Sequence, residues 1–222
     1  MRSPRLLLIA FALVADVDLA SLAAGLHTGH VVAKVLLMPL LAAYAFASGA
    51  PRLLIAGLLC GWGGDVLLLS DADPAFMAGM ACFAAGHVCY LVLFGRFPAP
   101  RARARRLVPL YSVALATTVT LLWPDLPADL RVPVAGYSAL LTAMACSAAL
   151  RLGPVAGLGG ALFMLSDTMI ATGIAGWPQS PRPDFWIMLT YAAAQYLIVS
   201  GTLDAPPAPA TAYREVRSSI TP

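Results

Sequence analysis

At 222 residues, 60% apolar and only 11% charged, with a mean hydropathy of +0.81, the chain is too greasy for a soluble domain, which runs near half apolar and a quarter charged. A formal charge of +3 is too small to argue for a nucleic-acid partner, and no run of basic and aromatic residues offers bases a stacking surface. The cysteines Cys60, Cys82, Cys89 and Cys146 form no CxxC pair, so neither a zinc ribbon nor a disulfide framework is implied.

The first apolar stretch, 6–25, follows a charged start in the manner of a signal peptide. It continues past Asp16 and Asp18, so an uncleaved span is expected. His27 and His30 fall in the connection to the second stretch, 31–47, which carries Lys34 near its beginning. The third, 52–69, holds a lone carboxylate, Asp65, inside "CGWGGDVLLLS". The fourth, 76–97, holds His87 and Tyr90, and the basic run "RARARR" precedes the fifth, 107–123. The sixth is 132–150; the seventh, 154–176, carries Ser166, Asp167 and Thr168; the eighth, 185–203, carries Tyr191 and Gln195. Each stretch is long enough, or nearly so, to cross a hydrocarbon core of about 30 Å. Lipid gives backbone amides no partner, and these stretches are too long for barrel strands, so each reads as a helix. The expected fold is an all-α integral membrane bundle of eight transmembrane helices over 1–203, with a disordered cytoplasmic tail at 204–222.

Basic residues orient the bundle. With the N-terminus inside, cytoplasmic segments hold Arg2, Arg5, Arg52, Arg96, Arg101, Arg103, Arg105, Arg106, Arg151, Arg214 and Arg217, while outer loops hold only Arg131 and Arg182. Eleven against two places both termini in the cytoplasm and the bundle in the plasma membrane. A faint internal echo adds to this: Asp65 lies eight residues after Gly57, and Asp167 eight after Gly159. Four spans separate the two helices, as a four-plus-four repeat requires.

An ionisable group at mid-membrane costs about 2.5–3.5 kcal/mol on insertion scales, so those that occur are candidates for function. Asp65 shares a helix face with Gly57 and Gly61, small residues that admit a neighbouring helix, so the carboxylate faces protein. His87 and Tyr90 lie three apart, Tyr191 and Gln195 four apart, each pair on one face. One polar pocket in the middle-to-outer part of the bundle collects most of these groups. Asp16 and Asp18, near a helix end, are expected to meet water, and the cysteines to pack as small apolar residues.

At these residues the chain resembles the YhhN-type membrane family, the lysoplasmalogenases. The matching pieces are "KVLLMP", "GDVLL", "FAAGHVCY", "GALFMLSD" and "YAAAQYLI", spread in order over about residues 6–203. The resemblance implies hydrolysis of the vinyl ether bond of lysoplasmalogens to a fatty aldehyde and glycerophosphocholine or glycerophosphoethanolamine. That chemistry needs an acid to protonate the alkenyl carbon, a second carboxylate to steady the oxocarbenium ion and activate water, and a greasy slot for the chain. Asp65 and Asp167 are the natural catalytic pair, with Asp65 as the acid because its run has fewer polar neighbours. Lys34, His87, Tyr90, Ser166, Tyr191 and Gln195 are expected to bind substrate, positioning water, phosphate or headgroup. The expected partners are a lysophospholipid substrate and membrane lipids, with no cofactor and no metal.

Other readings stay open at this point. Intramembrane acids also build proton-coupled transporters of small amphiphiles, though no central proline breaks either acid-bearing span. A zinc hydrolase would need three converging ligands, and the chain has only His27, His30 and His87, the last about half a membrane from the others. A purely structural bundle, with Lys34 pairing Asp65, leaves the buried carboxylates without a role.

Overall fold

The computed structural model describes residues 4–70 and 72–206, so the expected tail lies from residue 207 onward outside the described residues. All regular structure among the described residues is helical: α1 (Pro4–Ala24), α2 (His27–Ala47), α3 (Arg52–Leu67), α4 (Asp73–Phe94), α5 (Arg101–Leu122), α6 (Ala128–Arg151), α7 (Pro154–Ile174) and α8 (Pro183–Leu203). Six of the eight are long and apolar enough to cross a membrane unaided. The exceptions are α3, whose 16 residues reach about 24 Å at 1.5 Å each, and α5, whose first two turns hold four arginines. The eight-helix membrane bundle expected from the sequence is the observed architecture.

The starts of α2, α5 and α6 each come at least four residues earlier than expected, α6 at Ala128 directly after Pro127. The chain closes α1 with Gly25 at φ +73°, and Leu26 N–H donates to Ser21 O at 2.8 Å. That tight turn starts α2 at His27 rather than 31, drawing His27 and His30 into the helix. Pro100 precedes α5 in an extended conformation, and the arginines after it are good helix formers, so the basic run is helical rather than a loop. There Arg103 donates to Leu150 O at 3.1 Å, satisfying a carbonyl at the end of α6.

Seven helices form a ring in the order α1, α2, α3, α4, α6, α7, α8 and back to α1, while α5 packs outside against α6 and α7. Successive neighbours run α1–α2–α3–α4 and α5–α6–α7–α8, the same order in both halves. The most intimate pairs, α3 with α4 and α7 with α8, occupy equivalent places in those halves. Small residues allow this closeness. A Cβ on Gly57 would lie 2.3 Å from the Tyr90 ring of α4, and one on Gly159 would lie 2.8 Å from Ala194 O of α8. The main core runs the length of the ring, through Leu37, Leu41, Leu58, Phe94, Met144 and Ile198. A smaller cluster of Leu122, Leu126 and Val134 fastens the end of α5 to α6 and to the far end of α7.

Candidate active site

In the half of the bundle that bears the α1–α2, α3–α4, α5–α6 and α7–α8 connections lies a cavity, lined by residues of α2 to α8, with about 970 Å³ of empty space counting its open mouth. Its walls are mainly apolar, from Phe76, Phe83, Leu115, Leu141, Met164 and Ile187. Its polar lining includes both catalytic candidates, Asp65 and Asp167, together with Lys34, Ser166, Tyr191 and Tyr137.

Asp65, 3% exposed, comes from the last turn of α3. Tyr191 of α8 donates its hydroxyl to Asp65 Oδ2 at 2.8 Å. Gln195, one turn further along α8, donates to the Tyr191 oxygen at 3.4 Å, and Tyr90 of α4 donates to Gln195 Oε1 at 2.9 Å. The third helix makes room for this chain: a Cβ on Gly61 would crowd Gln195 Nε2 and the Tyr191 hydroxyl at 3.2 and 3.3 Å. The sequence expectation that Asp65 faces protein along the Gly57–Gly61 face is met.

Asp167, half-buried on α7, receives the hydroxyl of Tyr137 on Oδ2. Behind Tyr137 stands His87 of α4, its Nε2 3.1 Å from the Tyr137 hydroxyl oxygen. The His87 ring lies edge-to-face against Phe163, centroids 4.8 Å apart. So the two residues on one face of α4 serve different carboxylates, His87 toward Asp167 and Tyr90 toward Asp65.

The other sequence candidates are placed as follows. Lys34 lines the cavity without a direct ion pair to Asp65. Ser166 lines the cavity but donates its hydroxyl to Ile187 O of α8 at 3.1 Å, joining the two helices. Tyr191 lines the cavity; His87, Tyr90 and Gln195 stand behind the lining. Asp16 is exposed, whereas Asp18 is not the water-facing group expected from the sequence. It is 1% exposed, and His30 Nδ1 lies 2.7 Å from its Oδ1. The reason is the earlier start of α2 and the close approach at Gly29, where a Cβ would lie 2.4 Å from Ser21 Oγ of α1. Among the described residues, no three His, Cys, Asp or Glu side chains gather closely enough to hold a metal ion.

Tyr137 is the functional candidate that sequence reasoning missed. Its signal was a phenol in the first half of an otherwise apolar span, "VAGYSALL", but nothing along α6 itself says which carboxylate it meets.

Residues 29–202 match the YhhN family. The chain is 36% identical over 160 residues to lysoplasmalogenase TMEM86B of Homo sapiens, covering 72% of this chain and 67% of that protein. It is 36% identical over 194 residues to a lysoplasmalogenase of Mycobacterium bovis, covering 78% of this chain and 72% of the relative. No solved structure matches.

Proposed function

The chain belongs to the YhhN family and is a lysoplasmalogenase-type membrane hydrolase; from that premise we propose that it cleaves the vinyl ether of a lysoplasmalogen by acid catalysis with Asp65 and Asp167. The observation that carries this reading is the shared cavity: two carboxylates, each held by a tyrosine hydroxyl, face one apolar slot.

In this mechanism the slot takes the alkenyl chain, and Lys34 meets the phosphate at the cavity wall. Asp65 delivers a proton to the alkenyl carbon one bond removed from the ether carbon, and the electron pair of the double bond forms the new C–H bond. The ether oxygen then shares its lone pair, giving an oxocarbenium ion that the Asp167 carboxylate steadies. Water adds to the cationic carbon and yields its proton to Asp167. The hemiacetal collapses to the aldehyde and the glycerol hydroxyl of the headgroup product. Water is the only reactant consumed besides the lipid, and protons balance when Asp167 returns one to solvent and Asp65 regains one.

Two features support this division of labour. A charge on Asp65, at 3% exposure, has less water around it than one on the half-buried Asp167. Lys34, which lines the same cavity, is taken up by the substrate phosphate, which leaves Asp65 without a positive partner. Tyr191 and Ser166 complete the polar lining, while His87, Tyr90 and Gln195 act from behind it. On this reading both termini are cytoplasmic, the cavity lies in the outer half of the plasma membrane and substrate arrives from the outer leaflet, which the bias of arginine toward one side supports.

The test is aldehyde release from an alkenyl lysophospholipid by the purified full chain in detergent, with EDTA as a control and Asp65→Asn and Asp167→Asn alongside. The reading requires an active wild type, EDTA-insensitive, and two folded variants without activity. An inert wild type across several headgroups sinks the hydrolase and turns attention to proton-coupled transport. Activity that survives both substitutions keeps the hydrolase and sinks the two-aspartate mechanism.

A further inference from the structure

We propose that His87 is a positioning residue for Asp167, acting through Tyr137 to hold that hydroxyl as a fixed donor to the carboxylate. The inference rests on the two-aspartate reading above and assigns a role to a residue that lies behind the cavity wall.

The geometry is a one-way chain. His87 is 1% exposed, and among the described residues its one hydrogen-bond partner is the Tyr137 oxygen, 3.1 Å from Nε2. No side chain or backbone group among the described residues pairs with its other ring nitrogen, Nδ1. A neutral imidazole carries a single N–H. Placed on Nδ1, that N–H is a buried donor with nothing to accept it, and Tyr137 must then divide its one proton between His87 and Asp167. Placed on Nε2, it leaves only a bare lone pair unpaired, and orphaned donors are the rarer of the two in folded proteins. The proton therefore sits on Nε2 and is donated to the Tyr137 oxygen. The Tyr137 hydroxyl is then left with one acceptor, Asp167 Oδ2. Each donor in the chain polarises the next, so the carboxylate receives a stronger hydrogen bond than a lone tyrosine gives. A carboxylate held in this way is kept as an acceptor, which is what a partner to an oxocarbenium ion needs.

The ring's packing is consistent with a fixed tautomer. Phe163 closes one side edge-to-face at 4.8 Å, and the Tyr137 ring lies tilted on another at 5.5 Å. Neither presents an acceptor to Nδ1.

The test uses the purified full chain with an alkenyl lysophospholipid and measures kcat and KM for the wild type, His87→Gln, His87→Met, Tyr137→Phe and the double variant H87M/Y137F. Glutamine places an amide N–H near the position of Nε2, whereas methionine fills similar space without a donor. The expected result for H87M is a kcat about tenfold lower with KM within twofold, the lower end of what removing an outer hydrogen-bond partner costs. H87Q recovers most of that loss, and in the Y137F background H87M adds nothing further. If H87Q is as slow as H87M, or the losses multiply in the double variant, or H87M matches the wild type, His87 does not act through Tyr137. A second readout needs no substitution: histidine-selective nitrogen NMR of the wild type reports which ring nitrogen carries the proton. Protonation at Nε2 upholds the chain and protonation at Nδ1 overturns it, whatever the activity assay shows. A wild type that releases no aldehyde overturns the hydrolase reading, and the catalytic role of His87 with it.

Discussion

The surroundings of Asp65 and Asp167 look alike at first contact and differ one step behind it. Each carboxylate follows a close-packed glycine by eight residues, each receives a tyrosine hydroxyl from another helix, and each chain of donors ends on α4. Behind Tyr191 stands an amide, Gln195, at 3.4 Å, whose orientation Tyr90 holds. Behind Tyr137 stands an imidazole at 3.1 Å. Both line the cavity, but Asp65 is 3% exposed and Asp167 only half-buried. Two acids of one kind are made unequal by the helices around them, which is how a pair of carboxylates divides into a proton donor and an ionised partner.

The strongest way to break this comparison is to neutralise each member in turn. Asp65→Asn and Asp167→Asn should each lower aldehyde release by about a thousandfold, within the range of general acid–base contributions. The two should then part company. A small anion such as formate, supplied at high concentration, should restore part of the activity of Asp167→Asn and none of that of Asp65→Asn. Rescue in the opposite pattern would exchange the roles.

Next in size are the tyrosines. Tyr137→Phe should cost about thirtyfold in kcat and Tyr191→Phe about tenfold, since each disconnects the group behind it and His87 stands closer, at 3.1 Å, than Gln195, at 3.4 Å. Equal losses would mean that the groups behind the phenols do not matter.

Lys34→Met should act on binding instead. The expected outcome is a KM raised about tenfold for a phosphate-bearing substrate, or about 1.4 kcal/mol, with kcat nearly unchanged. A lowered kcat with unchanged KM would place Lys34 with Asp65 in the chemistry.

The smallest effects on rate belong to the glycines, and they sharpen the comparison of the two halves. Gly159→Ala sets a Cβ against backbone, 2.8 Å from Ala194 O and 2.9 Å from Ile198 N, which cannot step aside. Gly57→Ala meets the Tyr90 ring at 2.3 Å, and a side chain has more freedom to shift. Overpacking of this kind costs about 1–3 kcal/mol. Thermal melts in detergent should show the larger drop for Gly159→Ala, while activity, through the disturbed Tyr90–Gln195 chain, should fall more in Gly57→Ala. The reverse order would mean that the Asp65 side is the stiffer of the two.

Much of this arrangement was legible in the sequence. Apolar runs broken by proline and acidic turns marked eight helices to within a few residues, except at the starts of α2, α5 and α6, which come earlier after Gly25, Pro100 and Pro127. The glycine face of α3 announced that Asp65 points inward. Periodicity put His87 with Tyr90, and Tyr191 with Gln195, on common faces, but a face is only a direction. It did not say that His87 and Tyr90 part toward different acids, nor that Asp18 turns from water to His30.

The sequence by itself therefore determined what lipid enforces residue by residue: helical spans, the bias of arginine toward one side, and the rarity of mid-membrane charge that singled out Asp65 and Asp167. These follow from solvation and from spacing along one helix. The pairing of each acid with its tyrosine, the entry of Tyr137 into the site, and the inequality of the two carboxylates were decided only by tertiary structure. Each depends on which helices lie next to one another around the ring, and residues as distant in the chain as Asp65 and Tyr191 meet at 2.8 Å only after the helices pack.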